Sequence, residues 1–162
     1  MSRLSLAVIG VFVLSLAFGA VAEDAKPVKI VNVESGKVLA VTDDSSDAGA
    51  KAVLAKDDTK NEAQQWRLEK DGDQYKIVNH KTGKVLDVFE ASKDEGGQII
   101  QWDEKTDDNA NQRWSGEGTG EERRLKSKNS DLVLDAEKDG NVVQKKSDAK
   151  AKSQLWRVVE VK

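Results

Sequence analysis

The sequence predicts an all-β protein built from three copies of one unit, and three observations predict it. A Gln-x-Trp motif occurs at Gln64–Trp66, Gln112–Trp114 and Gln154–Trp156. Each is preceded by a ten-residue string from an apolar position to a leucine: Ile30–Leu39, Ile77–Leu86 and Leu125–Leu134. Between these landmarks lie short β-branched or aromatic runs, and no long window holds an apolar stripe at helical spacing.

The chain has 162 residues and opens on a segment of different character. Met1-Ser2-Arg3 carries one positive charge, Leu4 to Ala22 carries none, and Ala20-Val21-Ala22 leads into Glu23-Asp24. A basic start, an apolar middle and a small-x-small exit describe a secretory signal peptide over residues 1–22, cleaved after Ala22. The alternative is an uncleaved anchor, because the apolar stretch nearly reaches spanning length. Cleavage predicts an exported protein, periplasmic or secreted, with no stable membrane insertion.

Residues 23–162 then form the folded domain, with repeats at about 27–70, 71–119 and 120–162. From leucine to tryptophan takes 27, 28 and 22 residues, so the third copy is short. Strand runs are Tyr75–Val78, Lys84–Phe89 and Gln98–Trp102, punctuated by turns at Ser35-Gly36, Thr82-Gly83, Asp94–Gly97 and Asp139–Asn141. Three sheet-forming copies that fill the domain suggest threefold closure, which protects sheet edges.

The absence of cysteine excludes disulfides, a thiolate zinc site and a cysteine nucleophile. A net charge of -3 with interspersed signs gives no nucleic-acid footprint. Catalysis finds little support. His80, the single histidine, sits in a turn without a serine or aspartate motif directed at it. Asp43–Gly49 looks like a calcium loop at first, but Ala48 and Leu54 fall where that loop needs glycine and glutamate. Asp57-Asp58 and Asp107-Asp108 read as solvated turn acids, and Gly116–Gly120 as a plain loop. The sequence predicts a non-enzyme that needs no cofactor and no metal.

Three Gln-x-Trp repeats, each after its Gly-x-x-Leu or equivalent string, resemble the ricin B-type lectin family across residues 27–162. The resemblance implies a β-trefoil of three four-stranded units and a carbohydrate partner. Gln64, Trp66, Gln112, Trp114, Gln154 and Trp156 read as its structural core motif, each glutamine bonding buried backbone.

Trp102 stands apart. It lies 12 residues before Trp114, where repeat one has Leu54 and repeat three has Gln144 or Lys145. Asp87 follows Leu86, and Asn111 precedes Gln112. Repeat one has Ala40 and Ala63 at those two places; repeat three has Asp135 but Ser153. Only the middle repeat combines a carboxylate, an aromatic plate and a carboxamide. An indole covers the C–H face of a pyranose while Asp and Asn take its hydroxyls. The resemblance implies contacts from Asp87, Trp102 and Asn111, with Gln112 beside them, to a galactose-like sugar. Asp135 marks a second, weaker place.

Ile100 departs from the polar residue common in the family, and it shares a strand face with Trp102. An inward Ile100 would make Trp102 a fourth core tryptophan, so both readings stand at this point. Glu90 and Gln101 read as solvated surface that could rim the pocket. The alternative function is a protein-binding scaffold using Asp43–Asp47 or Ser115–Glu122.

Overall fold

The computed structural model describes residues 25–161, so the signal-peptide segment lies outside the described residues. Twelve strands run through them: β1 (Val28–Asn32), β2 (Val38–Val41), β3 (Ala52–Ala55), β4 (Trp66–Asp71), β5 (Gln74–Asn79), β6 (Val85–Val88), β7 (Ile99–Trp102), β8 (Trp114–Glu117), β9 (Glu122–Ser127), β10 (Val133–Ala136), β11 (Val142–Lys145) and β12 (Trp156–Glu160). The helical residues among them are short 3-10 turns.

Strands β1, β4, β5, β8, β9 and β12 pair in a closed ring, each antiparallel to the next, with β12 returning to β1. Closure removes the sheet edges of this barrel. The hairpins β2–β3, β6–β7 and β10–β11 cap one end. They meet through single bridges: Lys51 with Ile100, Gln98 with Val143, and Val53 with Asn141. This is a β-trefoil, each repeat supplying four strands.

The landmark residues fall where they hold the units together. Trp66, Trp114 and Trp156 open β4, β8 and β12 and are buried to 0–1% exposure. Their indole N–H groups donate to Leu39 O (2.9 Å), Leu86 O (3.1 Å) and Leu134 O (3.1 Å). The leucine and tryptophan of each repeat are therefore joined by a buried hydrogen bond, and all six side chains lie in one apolar cluster. Truncating one such tryptophan to alanine would cost about 3–5 kcal/mol.

The turn before β6 shows why glycine belongs in the repeat string. Gly83 sits at φ +71, the left-handed region, and donates its N–H to Asn79 O at 2.9 Å. The third repeat manages the same bend with Asp131 at φ 61.

The shortness of repeat three is located as well. Residues 42–51 and 89–98 join the strands of the first two cap hairpins, but residues 137–141 suffice in the third. The longer loops fold over the neighbouring repeat. Gln101 Nε2 donates to Ser45 O and Asp47 O, both at 2.9 Å, and Gln144 Nε2 to Ser92 O and Asp94 O, both at 2.9 Å. Gln101 is thus fully buried, correcting its reading as solvated surface. Leu54 is the third member of this set. It faces the short loop, with its backbone N–H on Gly140 O at 2.8 Å.

Candidate carbohydrate site in the middle repeat

Hairpin register defines equivalence better than counting back from a tryptophan. Trp102 pairs with Val85, Ala55 with Val38, and Lys145 with Val133. The counterparts of Trp102 are therefore Ala55 and Lys145, and Leu54 matches Gln101 instead. Counting misplaces the residue because repeat two holds one extra residue between Trp102 and Trp114.

Strand β6 places Asp87 opposite Ile100 of β7, so Val85, Asp87, Ile100 and Trp102 share one face of the hairpin. Ile100 is buried, yet Trp102 is 39% exposed. Trp102 is the last residue of β7 and projects past the packed part of the hairpin, so the inward face of Ile100 does not carry it into the core. One side of its six-membered ring lies against Gly49 of repeat one. A Cβ added to Gly49 would stand 3.3 Å from Trp102 Cζ3.

Asp87 is 2% exposed, and both carboxylate oxygens are held. Asn111 Nδ2 donates to Oδ1 at 2.9 Å and Gln112 Nε2 to Oδ2 at 2.7 Å. These consecutive carboxamides come from the 3-10 turn Ala110–Gln112. Asn111 Nδ2 also donates to Val88 O at 3.0 Å, and Gln112 Nε2 to Asp103 O at 3.0 Å. Burial pushes the Asp87 carboxyl above its ordinary value. The bond from Gln112, the nearby Lys105 charge and the bond from Asn111 pull it part of the way back.

Lys105 is a residue that sequence reading missed. Its Nζ donates to Asn111 Oδ1 at 3.0 Å. Its signal in the sequence is a lysine three residues after Trp102, where Asp58 and Asp148 stand at the same distance from Ala55 and Lys145. The Lys105 loop is pinned from outside by Lys84 Nζ on Asp103 Oδ1 (2.7 Å), and by Arg113 Nη2 and Lys76 Nζ on Glu104, both at 3.2 Å. Glu90 is exposed on the turn Phe89–Ala91, at φ 54, beside the site.

The other repeats lack the set. Ala40, Ala55 and Ala63 replace Asp87, Trp102 and Asn111 in repeat one. In repeat three Gln154 Nε2 donates to Asp135 Oδ2 at 2.8 Å, but Lys145 replaces the tryptophan and is tied to Glu137 at 3.0 Å. His80 is half-buried in its turn, with Arg67 Nη1 at 3.3 Å from its Nδ1. No cluster of three or more His, Cys, Asp or Glu among the described residues could hold a metal ion.

The arrangement offers a buried, fixed anionic acceptor beside an exposed flat apolar plate, which suits a ligand with hydroxyls on one edge and C–H groups on a face. Comparisons with known proteins bear on the family and the fold. Residues 15–102 match the family described as ricin-type beta-trefoil lectin domain-like. A designed threefold-symmetric protein, ThreeFoil, is 33% identical with a TM-score of 0.75, over 83% of this chain and 98% of that one. An exo-β-1,3-galactanase from Clostridium thermocellum is 36% identical with a TM-score of 0.77. That match covers 86% of this chain but 31% of the galactanase chain. A Polyporus squamosus lectin bound to the epitope Neu5Acα2-6Galβ1-4GlcNAc shares the fold, at 20% identity and a TM-score of 0.71, over 86% of this chain and 50% of that one. Comparison with curated protein sequences finds no match.

Proposed function

Because the chain belongs to the ricin-type β-trefoil lectin domain family, we propose that it is an exported, non-catalytic carbohydrate-binding protein with one competent site, in its middle repeat. The observation that carries this reading is the pairing of Asp87, held at both oxygens, with the exposed Trp102 on one hairpin face. The ligand is a galactose-type or related neutral sugar, whose hydroxyls meet Asp87 and whose C–H face stacks on the indole. The 36% identity to the galactanase chain supports that sugar class. Asp135 serves its own repeat as the acceptor for Gln154, and with Lys145 nearby it has no plate to stack on.

A single shallow site of this kind binds at about millimolar strength, about 4 kcal/mol. Useful retention then comes from many copies on a surface or many sugars along a polysaccharide. The test is a tryptophan-fluorescence titration of residues 23–162 with galactose and a panel of neutral sugars. The other three tryptophans are buried, so a saturable change in emission reports Trp102. Trp102→Ala should abolish the response and shift the melting temperature little. A blank across the panel overturns the reading.

A further inference from the structure

The three repeats serve as internal controls for one another. In each, the carboxamide of the Gln-x-Trp glutamine closes on the same two backbone groups of the loop before it. Gln64 donates to Lys56 O (3.0 Å) and accepts from Asp58 N (2.8 Å). Gln112 donates to Asp103 O (3.0 Å) and accepts from Lys105 N (2.9 Å). Gln154 donates to Lys146 O (2.9 Å) and accepts from Asp148 N (2.8 Å). These bonds make Lys56, Asp103 and Lys146 equivalent, and with them Asp57, Glu104 and Ser147.

A cation on the barrel wall, one residue before each apolar string, reaches toward this loop: Lys29, Lys76 and Arg124. In repeat one, Lys29 Nζ pairs with Asp57 alone among the described residues. In repeat three, Arg124 Nη2 donates to Asp148 O at 2.7 Å, and Arg124 forms no ion pair among the described residues. In repeat two the same contact belongs to a network. Glu104 takes Lys76 Nζ on Oε2 and Arg113 Nη2 on Oε1, both at 3.2 Å. Lys76 Nζ also meets Glu69 Oε2 at 3.0 Å, and Arg113 Nε meets Asp71 Oδ2 at 2.6 Å.

The cations and acids of this network are peculiar to the middle repeat. Arg113 is the central residue of its Gln-x-Trp motif and is buried, whereas Gln65 and Leu155 stand there in the other two. Asp103 is held by Lys84 Nζ at 2.7 Å, and lysines 56 and 146 take its place elsewhere. The repeat that carries Asp87 and Trp102 is thus the one whose loop is clamped to the barrel wall by several charges.

The clamp bears on Asp87 through one atom. Gln112 Nε2 is shared between Asp103 O at 3.0 Å and Asp87 Oδ2 at 2.7 Å, so a loop that drifts outward draws this donor off the carboxylate. In repeat one the corresponding glutamine has no carboxylate to hold, because Ala40 stands in place of Asp87.

We infer that Glu104 is a positioning residue of the sugar site, clamping its loop through Lys76 and Arg113, and that binding of an uncharged sugar therefore depends on ionic strength. Glu104 acts through Gln112 on Asp87 rather than on the ligand. A neutral sugar brings no charge for salt to screen, and Asp87 is buried, whereas the acids of the clamp are partly exposed and their ion pairs weaken as salt rises. The inference rests on the sugar-site reading above.

The experiment is a fluorescence titration with galactose and the neutral panel at about 0.01 M and about 1 M sodium chloride, where the Debye length is about 30 Å and about 3 Å. Wild type, Glu104→Gln and the repeat-one control Asp57→Asn are compared, with melting temperatures recorded alongside. Wild type should bind about fivefold more weakly at high salt, the scale of a lost ion pair. Glu104→Gln should show that weaker affinity already at low salt, with no further change as salt is added. Asp57→Asn strips buried Lys29 of its acid, so it should melt earlier yet keep the wild-type affinity and salt response. A wild type that binds equally at both salts overturns the inference and leaves the sugar site intact. So does Glu104→Gln that binds as wild type does or keeps its salt response. An equal loss of affinity in Asp57→Asn also overturns it, because general stability would then account for the effect. A wild type that binds none of these sugars at either salt overturns the site reading, and this inference with it.

Discussion

Gln112 Nε2 lies 2.7 Å from Asp87 Oδ2, so a glutamine of the structural repeat motif also holds the carboxylate of the site. The same amide nitrogen closes the loop at Asp103 O, 3.0 Å away. Framework and proposed site therefore meet in one side chain, and the three repeats grade its role. Gln154 makes the matching bond to Asp135 at 2.8 Å, whereas Gln64 has Ala40 in front of it and bonds backbone alone.

That gradation predicts an order of stability losses. Gln112→Ala leaves a buried carboxylate short of a donor, along with an unpartnered backbone carbonyl and N–H. It should cost about 3 kcal/mol, or on the order of 10 °C in melting temperature. Gln154→Ala should cost nearly as much, and Gln64→Ala distinctly less, because no buried charge loses a partner there. Thermal melts of the three variants check the order; equal losses would show that the carboxylates contribute nothing to the difference.

Asp87 also predicts opposite pH trends for binding and stability. Its folded carboxyl titrates above the ordinary 3.8, chiefly through burial. The folded protein therefore takes up this proton before the unfolded chain does. The group's contribution to stability is greatest below 3.8 and falls as pH rises through the folded value. The proposed site uses Asp87 as a charged acceptor, so affinity should rise over the same window and level off above it. Titrations and melts between pH 3 and 7 check this, with Asp87→Asn as the reference that lacks the step. An affinity that stays flat across the window would remove Asp87 from the recognition of sugar.

Much of this architecture was legible because it is written three times. The leucine and tryptophan landmarks recur in all three copies since each pair shares a buried hydrogen bond, and burial leaves little room for other residues. The Asp87, Trp102 and Asn111 set stood out for the opposite reason, as a departure confined to one copy. Gln101 was misread because its amide nitrogen donates to backbone carbonyls of another repeat, at Ser45 and Asp47, and a carbonyl leaves no trace in side-chain identity. Lys105 escaped because counting back from Trp114 crosses a one-residue insertion and misses the register that its N–H bond to Gln112 defines. Periodicity records what each repeat does for itself; contacts between repeats, and insertions inside one, need coordinates.

Gly49 offers the sharpest separation of framework from site. It lies at φ +91 in the repeat-one loop, and its N–H donates to Gln101 O at 2.8 Å. Gly96 is its counterpart one repeat on, at φ +83, with its N–H on Gln144 O at 2.8 Å. Alanine at either position must hold a left-handed backbone, at a cost of about 1–2 kcal/mol. Only at Gly49 would the new methyl also press on an aromatic ring, 3.3 Å from Trp102 Cζ3; nothing lies within 4 Å at Gly96. Trp102 is 39% exposed, so the methyl should move the plate rather than strain the core. Gly49→Ala and Gly96→Ala should therefore lose similar stability, while Gly49→Ala alone weakens the fluorescence-detected binding of galactose. If both variants bind as wild type does, the orientation of Trp102 against Gly49 plays no part in recognition.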